Sequence, residues 1–270
     1  MNMNKKRFIL KTVALSAFTA AVYIPASMVT TLHLYQRKDP DIEAYVQENL
    51  EQLIQEQEKT LGITYPADRP TIHYTLPEEY KLVGMLGLYR GENDSIYLPS
   101  GILTNPKWDF SDFMVTIATF NNTYNVKRSV DHELAHFYCD KVKERVFQNK
   151  SPPFSFYFTD EERVSQLLVN EGIAEYVENK MNGEDEKPFS FQNWPSDLTQ
   201  FTNKDVYQGG YTIVKPIIDR YGEKGIQFLL FNPPTPKELF TPKLYQERML
   251  TSIAKLSEKT EPLFLPFRIQ

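Results

Sequence analysis

The chain has 270 residues, 41% of them apolar and 13% aromatic, which is enough to bury a full core as one domain. Its single cysteine, Cys139, excludes an internal disulfide framework and any multi-cysteine zinc site. A net charge of −5 argues against nucleic acid as a partner.

The first 38 residues differ from the rest. Lys5, Lys6, Arg7 and Lys11 lead into an uncharged, largely apolar run from Thr12 to Leu32, closed by Arg37 and Lys38. That order is expected of a signal peptide or a membrane anchor, and Thr19-Ala20-Ala21 offers small residues for cleavage. Either outcome delivers residues 39–270 outside the cytoplasm, secreted or held at the membrane. The segment carries no acid, so the remaining domain is more acidic than the whole.

From Asp41 to about Leu61, Ile42, Tyr45, Val46, Leu50, Leu53 and Ile54 recur at helical spacing, and Gly62 suits the stop. Thr71–Thr75 and Ser95–Pro99 read as short strands, with Gly91–Asp94 turning between Leu88-Tyr89 and Ile96-Tyr97. Phe113–Thr119 is rich in β-branched residues and suggests another strand. Val126, Val130, Leu134, Phe137, Val142 and Val146 then mark a helix to about Phe147, and Ser151-Pro152-Pro153 breaks it. Thr159 and Glu162 form a capping box for a helix that ends near Gly183. Further helices are expected over about Asp205–Tyr221, Lys224–Phe231 and Pro242–Leu256. Strands first and helices after imply an α+β architecture, a small mixed β lobe followed by a helical lobe.

The chain has only four histidines, so their placement is informative. His33 and His73 have no spaced partner and read as structural or surface residues. His132-Glu133-Leu134-Ala135-His136 is an HExxH run inside the first strong helix. Residues four apart stand on one helix face, so both imidazoles can reach one ion. Glu133 points slightly aside, where it can act on a water without displacing it. A catalytic zinc needs a third protein ligand, and Glu171 in Asn170-Glu171-Gly172-Ile173-Ala174-Glu175-Tyr176 is the best source. Gly172 would let the metal helix approach closely, and Glu175, one turn on, could hold a spare imidazole N–H.

HExxH followed on a later helix by Asn-Glu-Gly-x-Ala-x-Tyr resembles the gluzincin branch of zincin metallopeptidases. The resemblance covers roughly residues 125–222 and implies a zincin-like domain over residues 39–270. It implies Zn2+ held by His132, His136 and Glu171, with Glu133 as general base and Glu175 in the orienting role. Tyr207-Gln208-Gly209-Gly210-Tyr211 is similar to the Tyr-x-x-Gly-aromatic segment of gluzincin aminopeptidases, which makes Tyr207 the candidate oxyanion donor and Tyr211 the reserve. The Gly-Ala-Met-Glu-Asn segment of those aminopeptidases is missing, so their amino-terminal exopeptidase specificity does not carry over. The expected function is hydrolysis of peptide or protein substrates outside the cytoplasm. Ser95–Leu98 is a candidate edge for holding an extended peptide. The alternative is a catalytically silent zincin-shaped scaffold at the cell surface.

Overall fold

A computed structural model describes residues 40–75, 77, 87–98, 122–147, 159–184 and 189–257. The N-terminal hydrophobic segment, the expected strand Phe113–Thr119 and the break at Ser151-Pro152-Pro153 lie outside these residues. No described helix is long and apolar enough to cross a membrane.

The described architecture is mixed α+β, mostly helical, with a small sheet of three strands. Helix α1 spans Pro40–Leu61 and buries Val46, Leu53, Ile54 and Leu61 at the spacing that the sequence pattern demands. Gly62 ends it at φ +65°, a left-handed conformation that glycine adopts without a Cβ penalty, and its N–H closes on Glu58 O at 2.9 Å.

Strands β1 (Thr71–His73), β2 (Leu88–Arg90) and β3 (Ser95–Tyr97) pair in the order β1-β3-β2. β1 runs parallel to β3 and β2 antiparallel to it, through the hairpin turn expected at Gly91–Asp94. β3 is therefore paired on both sides, with Ile96 and Leu98 buried. The expectation that Ser95–Leu98 offers a pairing edge is corrected by this order: among the described residues the outer edges belong to β1 and β2.

Helix α2 (Asn122–Phe147) and helix α3 (Asp160–Met181) form the centre of the helical part. α3 opens on the expected capping box, with Glu162 N–H donating to Thr159 Oγ1 at 3.3 Å and Thr159 N–H to Glu162 Oε2 at 2.9 Å. The single helix expected over Asp205–Tyr221 is a π-helical turn, Asp205–Gly209, that feeds helix α4, Gly210–Tyr221. Pro216 inside α4 cannot bond to Thr212 O, and Gln246 Nε2 donates to that carbonyl instead at 3.2 Å. Helices α5 (Glu223–Phe231), α6 (Pro236–Leu239) and α7 (Pro242–Ser257) complete the described fold.

Gly172 does not face the metal-motif helix. A Cβ there would lie 2.5 Å from the Gly210 backbone carbon, and one on Gly210 would lie 2.5 Å from Leu168 O. The glycine pair lets α4 lie directly on α3. The expected close approach is real, but its partner is α4, because Gly172 stands about 100° round the helix from Glu171. Gly172→Ala is expected to lower stability by about 1–3 kcal/mol through overpacking against backbone that cannot retreat, read as a fall in the thermal midpoint.

Candidate metal centre

α2 and α3 pack antiparallel, and the two motif histidines meet α3 side by side. His132 Nε2 lies 3.2 Å and His136 Nε2 3.4 Å from the same atom, Glu171 Oε2. The ligand atoms of His132, His136 and Glu171 all lie within 4.8 Å of one another, a spacing at which they could hold a metal ion. Two imidazole nitrogens and a carboxylate oxygen match the donor set of a three-ligand zinc site, and the spacing leaves room for an ion among them. The three side chains keep 11%, 16% and 13% of their surface exposed, so the cluster is largely buried but not sealed from solvent.

The electrostatics fit a cation. Burial pulls the His132 imidazole down, but the carboxylates of Glu171 and Glu178 outweigh it and hold its pKa well above the usual value. Burial raises the Glu171 carboxyl, while His136 and His132 outweigh that and hold it well below the carboxylate range. His132 Nδ1, the nitrogen left over when Nε2 binds a metal, lies 3.1 Å from Glu178 Oε2. Glu178 in turn accepts from Arg128 Nε at 2.5 Å, and Arg128 Nη1 reaches Glu184 Oε2 at 2.9 Å. The orienting contact expected of Glu175 is thus made by Glu178. Glu175 accepts from Asn179 Nδ2 at 3.2 Å. A second group, His132 with Glu175 and Glu178, has metal-like spacing too. Glu178 is committed to Arg128, however, and the contact is better explained as a hydrogen bond that orients the imidazole.

Glu133 is buried and points to the β side of the cluster. A Cβ on Gly87 would lie 2.5 Å from Glu133 Oε1, and the Tyr89 backbone N–H donates to the same carboxylate. A Cβ on Gly91 would overlap Asp140, seven residues further along α2. β2 therefore lies along α2, and the glycines that flank it clear the carboxylates beneath. Burial raises the Glu133 pKa, and the two histidines moderate the rise.

Tyr207 stands on the opposite wall. Its ring stacks on His132 with centroids 5.9 Å apart and planes 28° apart, and its hydroxyl donates to Glu171. Burial, then the charges of Glu171 and Glu133, raise the phenol, so it keeps its proton. Tyr211 lies in the core with its ring 6.4 Å from that of Tyr176. The π-helical turn makes the difference: Trp194 packs where a Gly209 side chain would be, 2.5 Å from the Cβ position, and pins the turn that carries Tyr207.

A buried polar network supports α2 from behind. Asp131 accepts from Gln57 Nε2 at 3.0 Å and Lys127 Nζ at 2.7 Å. The Tyr65 hydroxyl lies 2.5 Å from Gln57 Oε1 and 3.0 Å from Leu134 O. Gln57, Tyr65, Arg128 and Glu178 carry no motif that sequence reasoning picks out. The available signal is Arg128, one turn before His132, and an acid seven residues after Glu171.

Comparison with protein-family models, with curated proteins and with solved structures finds no match for this chain.

Two outcomes follow for metal binding. Glu178→Gln is expected to weaken metal affinity about 10–100-fold, measured by competition with a chelator. Affinity is also expected to fall as pH drops, because the metal must displace the proton that Glu171 and Glu178 hold on His132. A titration in weak buffer should show protons released on binding, and a pH-independent affinity would contradict the assignment.

Proposed function

We propose that this chain is an extracytoplasmic zinc-dependent peptidase of the gluzincin type. The observation that carries the reading is the convergence of His132, His136 and Glu171, with Glu133 adjacent on the same helix yet outside the ligand group. A structural zinc site is closed by four protein ligands; among the described residues this group supplies three, the number a catalytic site uses. The extracytoplasmic setting rests on the basic and apolar character of residues 1–38, which suits export or anchoring in a membrane.

Zinc held by these residues would lower the pKa of a water towards about 7 and polarise the scissile carbonyl. Glu133, buried beside the ligand group, would take the proton of an attacking water as the water oxygen adds to the carbonyl carbon. Burial raises its pKa, which makes it a better proton acceptor than an exposed glutamate. The same carboxyl then gives the proton to the amide nitrogen as the C–N bond breaks. Tyr89 N–H holds one side of the Glu133 carboxylate and so fixes its orientation. Tyr207, a neutral phenol beside His132, is the donor for negative charge developing on the carbonyl oxygen. Its hydrogen bond to Glu171 keeps the hydroxyl beside the ligand group. An extended peptide would enter along β2, the strand that lies on Glu133.

Glu133→Gln tests the reading in the full chain. Stoichiometric zinc should remain while chelator-sensitive cleavage of a peptide library falls about 10²–10⁴-fold. Full cleavage by this variant would refute the mechanism. A wild-type protein that binds zinc and cleaves nothing would support a silent scaffold. Gly87→Ala should behave similarly, with zinc affinity kept and turnover lost, because the new methyl would displace the Glu133 carboxylate.

A further inference from the structure

Two cations on α2 bracket the ligand group. Arg128 lies one turn before His132 and Lys143 two turns beyond His136, so both share the stripe that faces α3. Each bridges to α3, Arg128 to Glu178 and Lys143 to Asn170. The first bridge bears on a ligand through Glu178 and the Nδ1 of His132. The second ends on the residue immediately before Glu171.

Lys143 is the less expected of the two. Its side chain is only 8% exposed, its ammonium donates to Asn170 Oδ1 at 3.1 Å, and Asp140 Oδ1 lies 3.7 Å away. A buried ammonium is costly even when paired, and a methionine of similar length would fill the same space without that cost. Asp140 on the same helix balances part of that charge, and the hydrogen bond to Asn170 is the contact that crosses to α3. A rotation of α3 by about 20° would carry a carboxylate some 5 Å from its axis through about 2 Å. Metal–ligand distances tolerate only about 0.2 Å. The third ligand arrives from a separate helix, so something must set that rotation.

We propose that Lys143 is a positioning residue for the metal centre: its hydrogen bond to Asn170 locks the rotation of α3 against α2 and so fixes where Glu171 meets the two imidazoles. The inference rests on the metal-site reading, not on peptidase turnover, and metal binding alone can test it.

The full-length protein and its Lys143→Met, Asn170→Ala and double variants are titrated with Zn2+ against a chelator and with Co2+ by visible absorption. Thermal midpoints are taken without metal. Each single change should weaken Zn2+ about 10–100-fold and alter the Co2+ spectrum, while the double variant should be no weaker than the poorer single one. Zn2+ affinity within about twofold of wild type, or additive losses, would overturn the proposal. So would a fall in the metal-free thermal midpoint with an unchanged Co2+ spectrum, which is the signature of a merely structural lysine. Asn170 is half-buried, so Asn170→Ala decides the matter if Lys143→Met does not fold. A wild-type protein that takes up neither ion would overturn the metal site itself, an outcome visible before any variant is made.

Discussion

The structure depends on how α2 and α3 meet. A metal ligand on one helix is useful only if its partners on the other arrive within a fraction of an ångström, and antiparallel packing sets that register over several turns. Polar contacts between the two helices lie on both sides of the ligand group: Arg128 with Glu178 on one side, Lys143 with Asn170 on the other. Gly172 and Gly210 remove the bulk that would hold α4 away, so α3 lies in close contact with both α2 and α4. The convergence of the three side chains is thus tied to how the helices pack, and polar contacts between the helices accompany that packing.

That constraint also determines how the walls are built. The glycines on either side of β2, Gly87 and Gly91, leave space for the Glu133 and Asp140 carboxylates of α2. The Lys141 ammonium, 2.6 Å from Asp94 Oδ2, fastens the hairpin turn to the same helix. On the other side, the π-helical turn brings Tyr207 round to His132 while the regular helix that follows buries Tyr211. Glu133 and Tyr207 therefore border the His132–His136–Glu171 group from separate elements, α2 and the π-helical turn.

Much of this is legible in the sequence, for reasons that are local. HExxH is a statement about one helical turn, the capping box at Thr159 about four residues, and the Gly62 stop about one backbone conformation. What stays hidden depends on how elements sit against each other. Glu175 and Glu178 lie about 40° and 20° from Glu171 round the helix, on opposite sides, and only the direction of α2 decides which meets His132. Gly172 reads as a close-approach residue, yet its partner cannot be named without the position of α4. Ser95–Leu98 has the pattern of a strand, but pattern is silent on whether a strand is central or at an edge.

The charge balance of the cluster shows why its ligand set suits a cation. Three carboxylates, Glu133, Glu171 and Glu178, crowd two imidazoles in a largely buried space. Between them, Glu171 and Glu178 hold a proton on His132 more tightly than the ring would hold it in water. That proton occupies the Nε2 lone pair a metal would use. The same negative surroundings that favour it would favour a doubly charged ion more strongly, and Glu178 would keep the remaining N–H when the exchange occurs. Burial works in the same direction, because low dielectric strengthens every attraction within the cluster and makes leaving it uncompensated more costly. The proton on His132 and a metal ion are thus alternative ways of placing positive charge beside the Glu171 carboxylate.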